Sequence, residues 1–173
     1  MPMLKGEDIV VLLRLMAGSP SWTVRSLEAE IAIPRSVIQR SLVRLEQAGL
    51  LEDGRRRVNV GRAEELLVHA VKYMFPPVRG GETRGVPTAW AAPPLRDKLA
   101  DSGELPPVWP DPMGSARGIA LEPLYGSAPE ISRRDPVLSE LLMLTDGLRA
   151  GDARVRGIAE KLLRARLGSA AAA

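Results

Sequence analysis

The chain has 173 residues, a net charge of +3, one histidine and no cysteine. Disulfides, thiolate metal sites and thiol catalysis are therefore excluded, and a single His69 leaves no multi-histidine metal site or histidine-based triad. No run of about 18 apolar residues occurs, so no membrane-spanning helix is expected, and the N-terminus lacks the basic, apolar and small-residue order of a signal peptide. A cytoplasmic protein with no metal, no cofactor and no enzymatic activity is the expectation.

A first helix is predicted from Glu7 to Ala17, with Ile9, Val10, Leu12, Leu13 and Met16 as its apolar residues and Gly18 and Pro20 as its stop. A second runs from Thr23 to Glu30. Val24, Leu27 and Ile31 share one side of it, and the Thr23 hydroxyl is placed to accept an orphan N–H. A third begins near Pro34, a residue suited to a first helical position. Ile38, Leu42, Leu45 and Gly49 follow the spacing of a buried stripe, with Ser41 and Ala48 beside it. At about 100° per residue the opposite side carries Ser36, Arg40, Val43 and Gln47, flanked by Gln39 and Arg44. That side holds no carboxylate until Glu46. Gly49 reads as the helix stop.

Leu50 and Leu51 then open a strand, Asp53-Gly54 signals a hairpin turn, and Arg55, Arg56, Arg57, Val58, Asn59 and Val60 form the return. A fourth helix is predicted from Gly61 to about Met74. Seven arginines lie between residues 34 and 62, against Glu46, Glu52 and Asp53. The segment carries +4 and the rest of the chain about −1, so positive charge gathers where a polyanion would bind.

The run SLEAEIAIPRSVIQRSLVRLEQAGLL and the hairpin LEDGRRRVNV resemble the winged helix-turn-helix domain of bacterial transcription regulators, broadly the MarR-like and IclR-like kind. The resemblance covers residues 5–60, about a third of the chain. It implies that the third helix enters the major groove of double-stranded DNA. Arg35, Ser36, Gln39, Arg40, Val43 and Arg44 would then face the duplex. Arginine can bridge guanine O6 and N7, and glutamine can pair with adenine N6 and N7. Arg55, Arg56 and Arg57 would hold phosphates or enter the minor groove. One departure stands out: many relatives cap the recognition helix with Ser or Thr, where this chain has Pro34.

Composition changes after the fourth helix. Twelve of the fifteen prolines lie between Pro76 and Pro136. Residues 76–134 are read as an irregular Pro/Gly-rich region with short strands at Val108-Trp109 and from Gly118 to Glu122, and a short helix near Leu95 to Asp101. Phe75, Trp90, Trp109 and Tyr125 are expected to anchor it, or to line a ligand or partner pocket. The glycine-rich run from Gly80 to Gly85 lacks the Lys-Ser/Thr of a phosphate-binding loop. Asp135-Pro136 is a helix start, and residues 135–167 are read as a helical hairpin whose apolar faces cover a core or form a dimer interface. Residues 168–173 are read as a loose tail.

The predicted organisation is mainly α with a small β wing: an N-terminal DNA-binding domain at 1–75, the irregular region at 76–134 and the hairpin at 135–167. The predicted function is a sequence-specific DNA-binding regulator, a repressor acting as a homodimer. The alternatives are a protein-interaction module, or an antitoxin-like repressor that binds a partner protein through residues 76–167.

Overall fold

Helix α1 (Gly6–Ala17) is the strut around which the rest assembles. Its five consecutive apolar residues, Ile9, Val10, Val11, Leu12 and Leu13, are all fully buried. A helix apolar on every side must be covered on every side, and α1 is packed by α3, α7 and α8. The computed structural model describes residues 3–52, 54 and 57–172.

Helix α2 (Val24–Ile31) starts where Thr23 accepts the Ser26 N–H at 3.0 Å, while Ser26 Oγ accepts the Thr23 N–H at 3.0 Å. It ends at Ala32, whose φ of 52° lies in the left-handed region. Buried Ile33 pins the turn, and α3 (Arg35–Gln47) follows at once. A two-stranded antiparallel hairpin comes next, β1 (Leu51–Glu52) with β2 (Arg57–Val58), pairing Leu51 with Val58 and Glu52 with Arg57. The predicted tip residues Asp53, Arg55 and Arg56 lie outside the described residues. Helix α4 (Val60–Glu65), capped by the Asn59 side chain, widens into a π-helical turn over Leu66–Ala70 and continues as α5 (Val71–Met74).

The Pro-rich middle is more ordered than its composition predicts. Strand β3 (Arg79–Pro87) occupies the glycine-rich run, and each of β3, β4 (Pro107–Pro110) and β5 (Ala116–Leu121) pairs with the other two. The glycines permit this closeness. A Cβ on Gly85 would lie 2.1 Å from the Trp109 carbonyl oxygen, and one on Gly118 would lie 2.0 Å from that of Pro106. Two sequence expectations are corrected here. The helix expected near Leu95 to Asp101 is a single 3₁₀ turn at Arg96–Lys98, and α6 (Ala128–Arg134) stands inside the region read as irregular.

Helix α7 (Pro136–Ala150) opens as expected, with Asp135 accepting the Leu138 N–H at 3.0 Å. Helix α8 (Ala153–Ala172) runs through Gly168 as far as Ala172, where a loose tail was expected. Alanine has the highest helix propensity, so the helix runs on past Leu167. A single buried cluster joins Ile9, Leu12, Ile38 and Leu45 to Trp109, Leu141, Leu144, Ala159 and Leu163.

Thr88, Trp109, Asp146 and Arg149 form the polar joint of the C-terminal half. Asp146 accepts from Thr88 Oγ1 (2.8 Å), Trp109 Nε1 (2.7 Å) and Arg149 Nη1 (2.6 Å). Arg149 also donates to the Phe75 carbonyl at 2.9 Å. Thr88, Trp109 and Asp146 have at most 1% exposure. The cluster therefore ties the sheet to α7 and is closed to a substrate. No helix among the described residues is long and apolar enough to cross a membrane.

Candidate nucleic-acid interface

The third helix is fixed at both ends before its outer face is considered. Pro34, the residue before α3, offers no capping side chain. Glu28 of α2 takes over that role: its Oε1 lies 3.4 Å from the Arg35 N–H and its Oε2 accepts Arg35 Nε at 2.5 Å. That hydrogen bond from Arg35 holds the Glu28 carboxyl below its ordinary pKa. At the other end Gly49 has φ of 71°, its N–H donates to the Glu46 carbonyl at 2.9 Å, and the Leu50 N–H donates to that of Leu45 at 2.9 Å. This is the two-bond glycine stop of a helix. Arg62 Nη1 adds a bond to the Gly49 carbonyl at 3.1 Å.

The inward face matches the predicted stripe. Ile38 and Leu45 are fully buried, Leu42 nearly so, and Ser41 lies beside them. On the outward face Ser36, Gln39, Arg40 and Gln47 are exposed, and Val43 is half-buried.

Arg44 does not belong to that face. It is 8% exposed and grips Asp8 with two hydrogen bonds, Nε to Oδ2 at 2.7 Å and Nη2 to Oδ1 at 2.6 Å. Glu7 Oε1 stands 3.3 Å from Nη2. Asp8 holds the Arg44 proton above the ordinary arginine pKa. Removing one member of such a buried pair costs about 3–5 kcal/mol, so a phosphate or base does not draw Arg44 out. The long side chain leaves the edge of α3 and turns inward to the first turn of α1. Its partner is 36 residues away in sequence, which is why the helical phase alone placed it on the surface.

Other charges are also partly spoken for. Arg35 pairs with Glu28, and Arg57 pairs with Glu52 at 2.9 Å. Glu52 is held below its ordinary pKa by hydrogen bonds from Asn59 and then Arg57. These pairs differ from the Arg44 pair in exposure, with the Arg35 and Arg57 side chains 58% and 67% exposed. Pairs in water contribute little and are readily exchanged. Arg40 makes no hydrogen bond or ion pair among the described residues. Arg55 and Arg56 were expected beside it and lie outside the described residues. The positive charge of residues 34–62 is thus less free than the sequence count suggests.

The chain matches no family model, no curated protein and no solved structure. What the candidate interface can do rests on its own chemistry. A rigid helix, held on three sides, presents a serine, two glutamines and the arginine Arg40 outward. That set donates and accepts hydrogen bonds in flat, bidentate geometries, and it offers neither a nucleophile–base pair nor a metal-binding group. His69, the lone histidine, is exposed on the π-helical turn.

Proposed function

We propose that residues 6–58 act as a winged helix-turn-helix that binds double-stranded DNA, and that the protein is a sequence-specific transcriptional regulator, a repressor. Arg40 carries the reading. It is an exposed arginine without a carboxylate partner among the described residues, on the outer face of a helix whose caps and inward stripe leave it little freedom. The helix backbone is already ordered, so binding has only the Arg40 side chain to fix, and an arginine–guanine pair contributes about 1–3 kcal/mol of discrimination. Ser36 and Gln39 share the face and would read neighbouring positions. Arg35 and Arg57 would exchange their exposed carboxylates for phosphates, with Arg55 and Arg56 at the wing tip. Val43 would offer a small apolar contact, as to a thymine methyl.

The order of elements supports this reading. Two short helices joined by a tight turn, then a two-stranded hairpin, then a helix, is the arrangement that sets one helix edge-on to a groove. The test is selection of bound duplexes from a random pool, followed by repetition with Arg40→Ala. The proposal expects an enriched motif with the wild type, and loss of preference at one position in the variant. No enrichment with the folded wild-type protein would reject it. The second reading is a protein-interaction module or antitoxin-like repressor using residues 76–167, and the exposed side chains of Met113 and Val137 favour it as apolar contacts for a partner.

A further inference from the structure

Between the end of α1, the end of α2 and the start of α7 lies a groove of about 230 Å³, lined by Arg14, Ala17, Gly18, Glu30, Asp135 and Val137. No residue of α3 lines it. We propose that it binds a small neutral primary carboxamide with a short aliphatic tail.

The carbonyl half of the proposal comes from Arg14. Its side chain is 9% exposed, and its Nε donates to Glu30 Oε2. Neither terminal nitrogen has an acceptor among the described residues. Nη1 is closed to solvent against Gly18, where a Cβ would stand 1.4 Å from it. Nη2 is not closed off in this way, so it is the donor that a ligand in the groove can reach. Buried arginines normally have their N–H groups paired, and this one is short of an acceptor. A second donor comes from the main chain of α7. Pro136 has no N–H, and Asp135 takes those of Leu138 at 3.0 Å and Ser139 at 2.9 Å. The Val137 N–H is left without an acceptor among the described residues. It stands at the positive end of a 15-residue helix, where an oxygen with partial negative charge is favoured.

The amide half comes from the carboxylates. Glu30 Oε1 and Asp135 Oδ2 accept no hydrogen bond among the described residues. Of the three charged side chains that line the groove, one is cationic and two are anionic. A carboxylate ligand would gain Arg14 and meet both acids. An ammonium ligand would gain the acids and meet Arg14 and the helix start. A primary amide avoids both conflicts. Its carbonyl accepts from Arg14 and Val137, and its two N–H groups donate to Glu30 and Asp135. Ala17 and Val137, the latter 60% exposed, supply an apolar wall for the tail. The volume lies below the range of about 300–1,000 Å³ usual for drug-sized ligands, which limits the tail to a few carbons.

The test uses the full chain without DNA. Titration with butyramide should shift the Val137 amide and Arg14 Nε–H signals saturably in a ¹⁵N-correlated spectrum. The indole signal of Trp109, buried and bonded to Asp146, should stay in place. Butyrate and butylammonium should each bind more weakly by about tenfold, as for the loss of one hydrogen bond to a charged group. Glu30→Gln keeps the side-chain shape and removes one negative charge, so it should close most of the gap between butyrate and butyramide. Arg14→Lys, shown to be folded by its thermal melt, should weaken butyramide by about tenfold. If that variant does not fold, Glu30→Gln, at a side chain 38% exposed, still decides. The proposal fails if butyramide gives no saturable shift or if either charged analogue binds the wild type as tightly as the amide. It fails equally if Glu30→Gln leaves the ratio of amide to acid unchanged.

Discussion

The ion pair of Arg44 with Asp8 offers the sharpest test of how α3 is held. Asp8 is fully buried, and its two oxygens lie 2.6 and 2.7 Å from Arg44 nitrogens. Asp8→Leu would leave the guanidinium with Glu7 at 3.3 Å and the Ser41 hydroxyl at 3.4 Å. Arg44→Met would leave a buried carboxylate with only the Lys5 N–H at 2.8 Å. Each single change should cost about 3–5 kcal/mol, because an unpaired charge remains in a dry site. The double variant removes both charges and puts aliphatic volume in their place, a replacement that is often neutral or stabilising. It forfeits the bond from Lys5 at the start of α1, about 0.5–2 kcal/mol. The double variant should therefore lie within about 2 kcal/mol of the wild type, with a coupling energy of at least about 4 kcal/mol. Urea denaturation of the four proteins measures this, provided m is unchanged. If Arg44→Met alone falls within about 0.5 kcal/mol of wild type, and the two changes add, the pair is not desolvated. Arg44 would then return to the outer face, and a loss of DNA affinity in the same variant would confirm that reversal.

The two faces of α3 should also separate in thermal melts. Leu45→Ala, at a fully buried position, should cost about 2–5 kcal/mol, while Gln47→Ala should stay within about 0.5 kcal/mol. The cap from Glu28 gives a pH dependence. Its folded-state pKa is lowered from 4.5 by Arg35, so its contribution is present above pH 4.5 and is lost as pH falls through the lower folded value. Glu28→Gln should flatten the stability profile in that acid range and leave its shape above pH 6 unaltered; an unchanged acid limb would remove Glu28 as the cap. At the wing, replacing Arg55, Arg56 and Arg57 with alanine should weaken binding to any duplex. It should also reduce the slope of log K against log salt by about 0.9 for each phosphate that the wing no longer neutralises. Unchanged affinity and slope would show that the wing touches no phosphate.

What the sequence made legible follows from the range of the forces involved. The helices of residues 6–47 and the start of α7 are written in local signals. Thr23 caps α2, Asp135 and Pro136 open α7, Gly49 closes α3, and the apolar residues recur at helical spacing. The strand from Arg79 to Pro87 was hidden because three glycines and a proline are poor strand formers. Gly85 serves here because β3 lies against two other strands, and only a residue without a Cβ admits the Trp109 carbonyl at that point. Buried polar contacts were hidden for a different reason. Arg44 and Asp8 are 36 residues apart, and Trp109 and Asp146 are 37 apart. Neither partner carries any mark of the other in its local pattern. The exposure of Arg40 was legible because helical spacing alone sets it opposite the Ile38, Leu42 and Leu45 stripe.

The central claim is that the outer face of α3 binds duplex DNA. Fluorescence anisotropy of a labelled duplex, titrated with the wild-type protein and with Arg40→Ala over a series of salt concentrations, tests it most directly. The account predicts saturable binding by the wild type, with log K falling linearly as log salt rises. It predicts a loss of about 1–3 kcal/mol on the selected site for Arg40→Ala, with thermal stability unchanged. Folded wild-type protein that binds no duplex at low salt, or an Arg40→Ala variant that binds the selected site as tightly as the wild type, would contradict it.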